Sequence, residues 1–218
     1  MTQLGRHEAE RFCSFAREVH RNGLLRYSSG NISWRFCDTL VAVSASGSWL
    51  ERLEVRDIAL CSFPDGEVLS EVVPSVEWRF HLGIMRKRPE ARVVLHFQAP
   101  FATVISCEED LLPSLELLPE VPFYCGRIEV VEYFPPGSGE LAEAVVRAAG
   151  NSDLIIMRNH GQVAVGPDFD TVLKRAGFFE LACTVAVLAR RARSLPEEAV
   201  EQLLEARSKA NAQLGRGV

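Results

Sequence analysis

Two histidines stand where strand-like runs of sequence end. His96 closes ARVVLH, and His160 lies in MRNHGQVAVG, after DLIIM and directly before a glycine. Neutral imidazole is the commonest protein ligand for zinc-like ions, and two histidines at strand ends can converge on one ion. A single strand-end histidine is more often a plain hydrogen-bonding residue, so the pair gains meaning only from its surroundings. Glu77 and His81 are four apart, which puts them on one helical face. Glu77 could be an acid/base facing a cleft, although spacing alone favours a surface carboxylate beside a packing histidine. Three short polar turns, Ser29-Gly30-Asn31, Ser46-Gly47 and Pro74-Ser75, use small residues that let backbone N–H groups approach an anion. Ser75 would add the start of a helix, where free N–H groups and the dipole favour phosphate. None of the three fits the P-loop or dinucleotide glycine pattern, and turn chemistry also accounts for each.

The elements that must carry these residues follow from periodicity. Phe12, Phe15, Ala16 and Val19 fall on one helical face, with Gly23 just beyond. SSGNISWRF is a polar turn running into the alternation Ile32, Trp34, Phe36, and LVAVSASG reads as a strand followed by a turn. A helix is predicted from Pro74, with Ser75 as its N-cap, to near Pro89. ARVVLHF, RIEVVEYF, DLIIM and VAV read as strands. Ser138 can cap a helix carrying Leu141, Ala144, Val145 and Ala148. A long apolar helix is predicted over Asp170 to Arg193. The Ser194-Leu-Pro-Glu197 spacing then opens a charged final helix. Mixed strands and helices point to one three-layer α/β domain over residues 1–218, with a helical tail from about 194.

The chain has 218 residues, 47% hydrophobic and 24% charged, with a formal net charge of −5. That charge disfavours nonspecific nucleic-acid binding, which requires a basic surface. Every long apolar stretch is interrupted by charge before it could span a bilayer, and the N-terminal segment lacks a signal-peptide layout. The expectation is a cytoplasmic protein with no membrane partner. The six cysteines are widely spaced and form no CxxC, which excludes zinc-ribbon and dithiol redox motifs and fits free thiols.

In order along the chain stand SSGNISWR, SASG, PSVEWRFHLGIMRKRPEARVVLHFQAPFATVIS, PPGSGELAEAVV and IIMRNHGQVAVG, and then a long helix. Together they resemble the class II aldolase/adducin family over roughly residues 8 to 190. The resemblance implies a three-layer α/β/α fold with a central, predominantly antiparallel sheet of nine strands flanked by helices. It implies a divalent metal, zinc in the first instance and otherwise manganese, cobalt or nickel, held by an H-x-H pair and a turn histidine. It further implies retro-aldol cleavage of a small sugar phosphate through a metal-stabilised enediolate, with a glutamate moving the proton, in a homotetramer. Carried over by motif, His96 and His160 are metal ligands and Glu77 is catalytic. Gly30, Asn31, Ser46, Gly47 and Ser75 fall at the phosphate-binding positions.

Two departures stand out. Gln98 occupies the second histidine position of the H-x-H pair, where its amide oxygen would be a harder, neutral and weaker ligand than imidazole. Val76 replaces the second serine of P-S-S and cannot donate a hydrogen bond. These changes leave two alternatives beside the aldolase reading. One is a non-catalytic, adducin-like ligand- or protein-binding domain. The other is a dehydratase or decarboxylase built on the same scaffold.

Overall fold

The computed structural model describes residues 4–108, 115–189 and 191–214. Its framework is a seven-stranded sheet: β1 (Asn31–Trp34), β2 (Leu40–Ser44), β3 (Ile58–Ser62), β4 (Val93–Phe97), β5 (Ile128–Val131), β6 (Leu154–Met157) and β7 (Gly161–Gly166). The spatial order is β3-β2-β1-β4-β7-β6-β5. Every pairing is antiparallel except β5 with β6. Helices α1 (Arg6–Arg21), α3 (Pro100–Cys107) and α5 (Phe169–Leu188) cover one face. Helices α2 (Trp78–Lys87) and α4 (Gly139–Ala148) cover the other. The architecture is thus the three-layer α/β/α sandwich expected, with two cores separated by the sheet.

Strand β4 lies at the centre of the sheet and is buried on both faces. This explains why VVLHF reads as a continuous apolar run rather than an alternating one. Val93, Leu95 and Phe97 enter the core under α1, α3 and α5, whereas Val94 enters the core under α2 and α4. The strand period of two therefore turns His96, like Val94, toward α2. Its ring meets Phe80 of that helix edge-on, with centroids 6.4 Å apart.

Several elements form as their sequences dictate. The four apolar residues read on the face of α1 are buried, and Gly23 takes a φ of 72° just past the helix end, a conformation glycine adopts without steric cost. Ser138 Oγ accepts the Leu141 N–H at 3.1 Å and caps α4. All six cysteines are free thiols.

Other expectations are corrected. Helix α2 begins at Trp78, not at Pro74–Ser75, and Ser75 is not its N-cap. Pro74 is bridged to Ala45, and the Ser75 N–H donates to the carbonyl of Ser44 at 3.0 Å. The sheet edge therefore holds this segment extended before the helix can start. Helix α5 is capped by Asp168 and stops at Leu188, short of Arg193. Seven strands form among the described residues rather than nine. The β-pairing of the stretch after β3 is confined to isolated bridges, Cys61 with Val68 and Ala45 with Pro74, and Pro74 has no N–H with which to extend a ladder.

The final helix, α6 (Glu197–Leu214), is tied to the body through the carboxylate of Asp153. Arg88 Nη2 approaches it at 2.6 Å and Arg175 Nη2 at 2.7 Å, and Arg207 of α6 pairs with the same group. Burial alone would raise the Asp153 pKa, but the three guanidinium groups outweigh it and hold the carboxyl below its ordinary range. No helix among the described residues is long and apolar enough to cross a membrane.

Candidate metal and anion site

The site forms where the end of β4, the start of α2 and the turn between β6 and β7 meet. His96 sits in β4 directly opposite Asn31 of β1 on one side and Val163 of β7 on the other. Glu77 immediately precedes the first residue of α2. His160 follows Asn159, whose φ of 52° turns the chain in the left-handed region, a conformation asparagine tolerates better than most residues. The His96 and His160 ring centroids are 4.9 Å apart at 68°. Glu77 Oε1 lies 3.3 Å from His160 Nε2, and Glu77 Oε2 lies 3.5 Å from His96 Nε2.

Glycine makes this convergence possible. A Cβ on Gly161 would stand 2.7 Å from the Phe97 carbonyl oxygen and 2.9 Å from His96 Cε1. A Cβ on Gly30, whose φ is +78°, would stand 2.6 Å from the His96 carbonyl oxygen. The two glycines thus let neighbouring chain segments press on His96 from either side.

The protonation pattern shows what the cluster fits. His96 Nδ1 lies 3.0 Å from the carbonyl oxygen of Gln162. That oxygen can only accept, so Nδ1 carries the hydrogen and Nε2 of the neutral ring bears a lone pair. Burial first, and then the neighbouring His96, push His160 down to about 4 against the opposing pull of Glu77, so His160 is neutral at pH 7. A lone pair of His96 therefore faces the Glu77 carboxylate, with the neutral ring of His160 beside it. Glu77 Oε1 is buried and has no hydrogen-bond partner among the described residues. An unpaired buried carboxylate oxygen is costly, and a cation between the three groups would satisfy it. Their donor atoms lie within 4.8 Å of one another, and nitrogen with carboxylate oxygen is a donor set that suits zinc-like ions. Gln98 lines the same space.

Above this cluster opens a cleft of 310 Å³. Gly30, Asn31, Ser46, Gly47 and Ser75, singled out from three separate turns, all line it together with Glu77, His96, Gln98 and His160. Ser28, Ser48 and Pro136 also line it, and the sequence reading missed them. Ser28 and Ser48 carried a signal, because each adjoins a turn already marked. Val76 stands at the cleft with its apolar side chain 56% exposed, so a hydroxyl donor is missing there. A larger trough of 490 Å³ runs along α6, but opposite charges on its walls pair with one another, as Arg127 does with Glu201 at 3.2 Å.

Behind Glu77 lies a second polar set, of which the sequence reading marked Asn31 and His81 singly and passed over Ser33. Asn31 Nδ2 donates to Glu77 Oε2 at 2.9 Å, Asn31 Oδ1 lies 2.6 Å from His81 Nε2, and His81 Nδ1 lies 2.8 Å from Ser33 Oγ. His81 is fully buried and stacks on Phe80 with centroids 4.6 Å apart. Burial, with a further contribution from His96, pushes it down to about 3. The shared face of Glu77 and His81 is therefore an interior face, contrary to the surface placement that spacing alone favoured.

A three-layer α/β/α sheet protein with a histidine–glutamate cluster under a serine- and glycine-lined cleft is what the class II aldolase/adducin resemblance implies. The chain belongs to the family described as Class II Aldolase and Adducin N-terminal domain, whose model matches residues 10–187. It is 32% identical over 171 residues to the 3-oxo-tetronate 4-phosphate decarboxylase of Haemophilus influenzae, covering 77% of this chain and 80% of that one. It is also 32% identical over 162 residues to the 5-methylthioribulose-1-phosphate/5-deoxyribulose-1-phosphate aldolase of Rhodospirillum rubrum, covering 74% and 72%. Among solved structures, the sugar-phosphate aldolase of Thermotoga maritima superposes with a TM-score of 0.75 at 24% identity, covering 85% of this chain and 97% of that one. That last likeness bears on the fold alone.

Proposed function

We propose that this protein is a metal-dependent carbon–carbon lyase acting on a small phosphorylated sugar or hydroxy-carbonyl compound, in the cytoplasm and as a homotetramer. The observation that carries the reading is the placement of the Glu77 carboxylate against Nε2 of both His96 and His160 at the buried end of the cleft. In this reading His96 and His160 hold a divalent ion, zinc first and otherwise manganese, cobalt or nickel, with Gln98 completing the set. When bound, the ion supplies a Lewis acid for negative charge developing on a substrate oxygen. Glu77 moves the proton, and its Oε1, which has no hydrogen-bond partner among the described residues, would do so where a substrate oxygen takes its place beside the ion. Gly30, Asn31, Ser46, Gly47 and Ser75 bind the phosphate through N–H and hydroxyl groups, with one donor fewer than a serine at position 76 would allow.

The first reaction to test is retro-aldol cleavage of a ketose 1-phosphate. Decarboxylation is the second, and the identity to the H. influenzae decarboxylase favours it. The two share a chemical core. Breaking the C3–C4 bond of a ketose 1-phosphate leaves a carbanion beside a carbonyl in a three-carbon phosphate. Loss of carbon dioxide from a 3-oxo-tetronate 4-phosphate leaves the same carbanion, and one proton converts it to dihydroxyacetone phosphate. A glutamate that delivers that proton serves both reactions.

The test is a screen of ion-loaded protein against ketose 1-phosphates for aldehyde release, and against 3-oxo-tetronate 4-phosphates for carbon dioxide release. Turnover of one class that is lost in Glu77→Gln is the expected result. No turnover of either class by protein with ion bound would overturn the lyase reading in favour of a binding domain.

A further inference from the structure

Glu77 and His81 occupy one face of the helical start, and Asn31 and Ser33 occupy one face of β1. The two pairs interlock over Ser33 Oγ–His81 Nδ1 (2.8 Å), His81 Nε2–Asn31 Oδ1 (2.6 Å) and Asn31 Nδ2–Glu77 Oε2 (2.9 Å). All four residues are buried. The direction of every hydrogen bond follows from the carboxylate outward. An ionised carboxylate only accepts, so the Asn31 amide must turn its NH2 toward Glu77 and its oxygen toward His81. That oxygen also only accepts, so His81 carries its hydrogen on Nε2. The neutral ring then has a lone pair on Nδ1, and the Ser33 hydroxyl must donate to it. Reversing any member would set two acceptors or two donors against each other inside the core, where an unmatched polar contact is expensive.

We propose that Ser33 and His81 are positioning residues which lock the Asn31 amide in one orientation, so that Glu77 Oε2 is permanently held and Oε1 alone faces the substrate proton. The consequence is asymmetric use of the carboxylate. Oε2 has a fixed donor at 2.9 Å, while Oε1 has no hydrogen-bond partner among the described residues and lies 3.3 Å from His160 Nε2. A proton arriving on Oε1 leaves the Asn31 bond intact, so the carboxylate need not rotate between taking a proton and giving it back. The alternative is that His81 merely fills space and satisfies two polar neighbours. It would then matter for folding but not for the rate of proton transfer. The proposal rests on Glu77 being the proton carrier.

The experiment has two arms, both on the zinc-loaded protein of residues 1–218. The first reads the His81 ring nitrogens of the 15N-labelled protein by long-range 15N–1H correlation. A single Nε2–H tautomer is expected in the wild type and in Ser33→Ala, with the Nδ1 signal of the variant moved downfield by the loss of its donor. An Nδ1–H ring in the wild type overturns the relay.

The second arm follows exchange of the hydroxymethyl hydrogen of dihydroxyacetone phosphate in D2O by 1H NMR. This reports proton transfer without cleavage of a carbon–carbon bond. His81→Phe is expected to lower kcat for exchange by about 10- to 100-fold, the usual effect of losing a partner that orients a site residue, with KM and bound zinc unchanged. Ser33→Ala, a smaller change that serves if His81→Phe does not fold, is expected to lower kcat in the same direction. Glu77→Gln is the control. Exchange that disappears in Glu77→Gln but keeps its wild-type kcat in the relay variants overturns the relay alone. Exchange that survives Glu77→Gln overturns the role of Glu77, and the purpose of the relay with it.

Discussion

His96 Nε2 lies 3.5 Å from Oε2 of Glu77, and with the ring's hydrogen on Nδ1, held by the Gln162 carbonyl, none stands between them. An imidazole lone pair and a carboxylate repel across such a gap unless a cation stands beside them. Adding zinc to metal-free protein is therefore expected to raise the thermal midpoint, by an amount corresponding to about 2.7 kcal/mol at a hundredfold excess over Kd. Calorimetric titration and a thermal scan of the same sample check this. His160→Ala and His96→Ala should each abolish the shift, and a shift that persists in both would place the ion elsewhere.

Gln98 lines the cleft with both histidines, at what the family resemblance implies is the second histidine position of an H-x-H pair. Gln98→His should strengthen zinc binding on the order of tenfold or more, about 1.4 kcal/mol, and should narrow any preference for manganese over zinc, because imidazole is a softer donor than an amide oxygen. Competition between the two ions for the wild type and the variant measures both effects. Equal affinities in the two proteins would mean that Gln98 does not reach the ion.

Gly161 has no room for a side chain. A Cβ would press on the Phe97 carbonyl oxygen at 2.7 Å and on His96 Cε1 at 2.9 Å. Backbone can yield less readily than a side chain, so Gly161→Ala should cost about 1–3 kcal/mol in overall stability. It should also displace the His96 ring enough to weaken zinc binding. Urea unfolding and zinc titration on one preparation test the pair of effects.

What the sequence made legible follows from where its information is local. The buried run VVLHF, the Ser138 cap and the amphipathic face of α1 each need only neighbouring residues, and each was read correctly. His96, His160 and Glu77 became a constellation only through motif order, because their meeting depends on the β1–β4–β7 register. The start of α2 was misread because Pro74 and Ser75 answer to the sheet edge rather than to helix propensity. The partners of Asn31 were invisible for a related reason. Its amide faces a helix 46 and 50 residues away, and no short-range pattern announces such a pairing. The Asp153 cluster joins helices α5 and α6 to the C-terminal end of α2 in the same way.

Asp153 carries three guanidinium groups, from Arg88, Arg175 and Arg207, and is 7% exposed. Asp153→Asn keeps the shape but leaves these cations without their counter-charge, and breaking a buried pair in this way costs about 3–5 kcal/mol. Because Arg207 belongs to α6, the loss should appear first there, as faster amide exchange over Glu197–Leu214 than in the sheet. Hydrogen exchange read by mass spectrometry distinguishes this local release from a uniform loss of stability.

The fully buried His81 sets how the metal-free protein responds to acid. Its pKa is about 3 in the folded state, against an ordinary value of 6.5. Between these values the unfolded chain binds a proton at this residue that the folded protein refuses, so stability rises with pH through the window and is lost as pH falls below 6.5. The slope for one such group is about 1.4 kcal/mol per pH unit. His160, pushed down to about 4, acts in the same direction over the upper part of the window. Asp153, held below its ordinary 3.8, adds a further loss only below that value. Urea midpoints measured from pH 7 to pH 4 should therefore fall steadily for the wild type, and should fall less steeply for His81→Gln, which has no group at position 81 to titrate. Parallel slopes in the two proteins would mean that the ring of His81 accepts its proton without leaving the core.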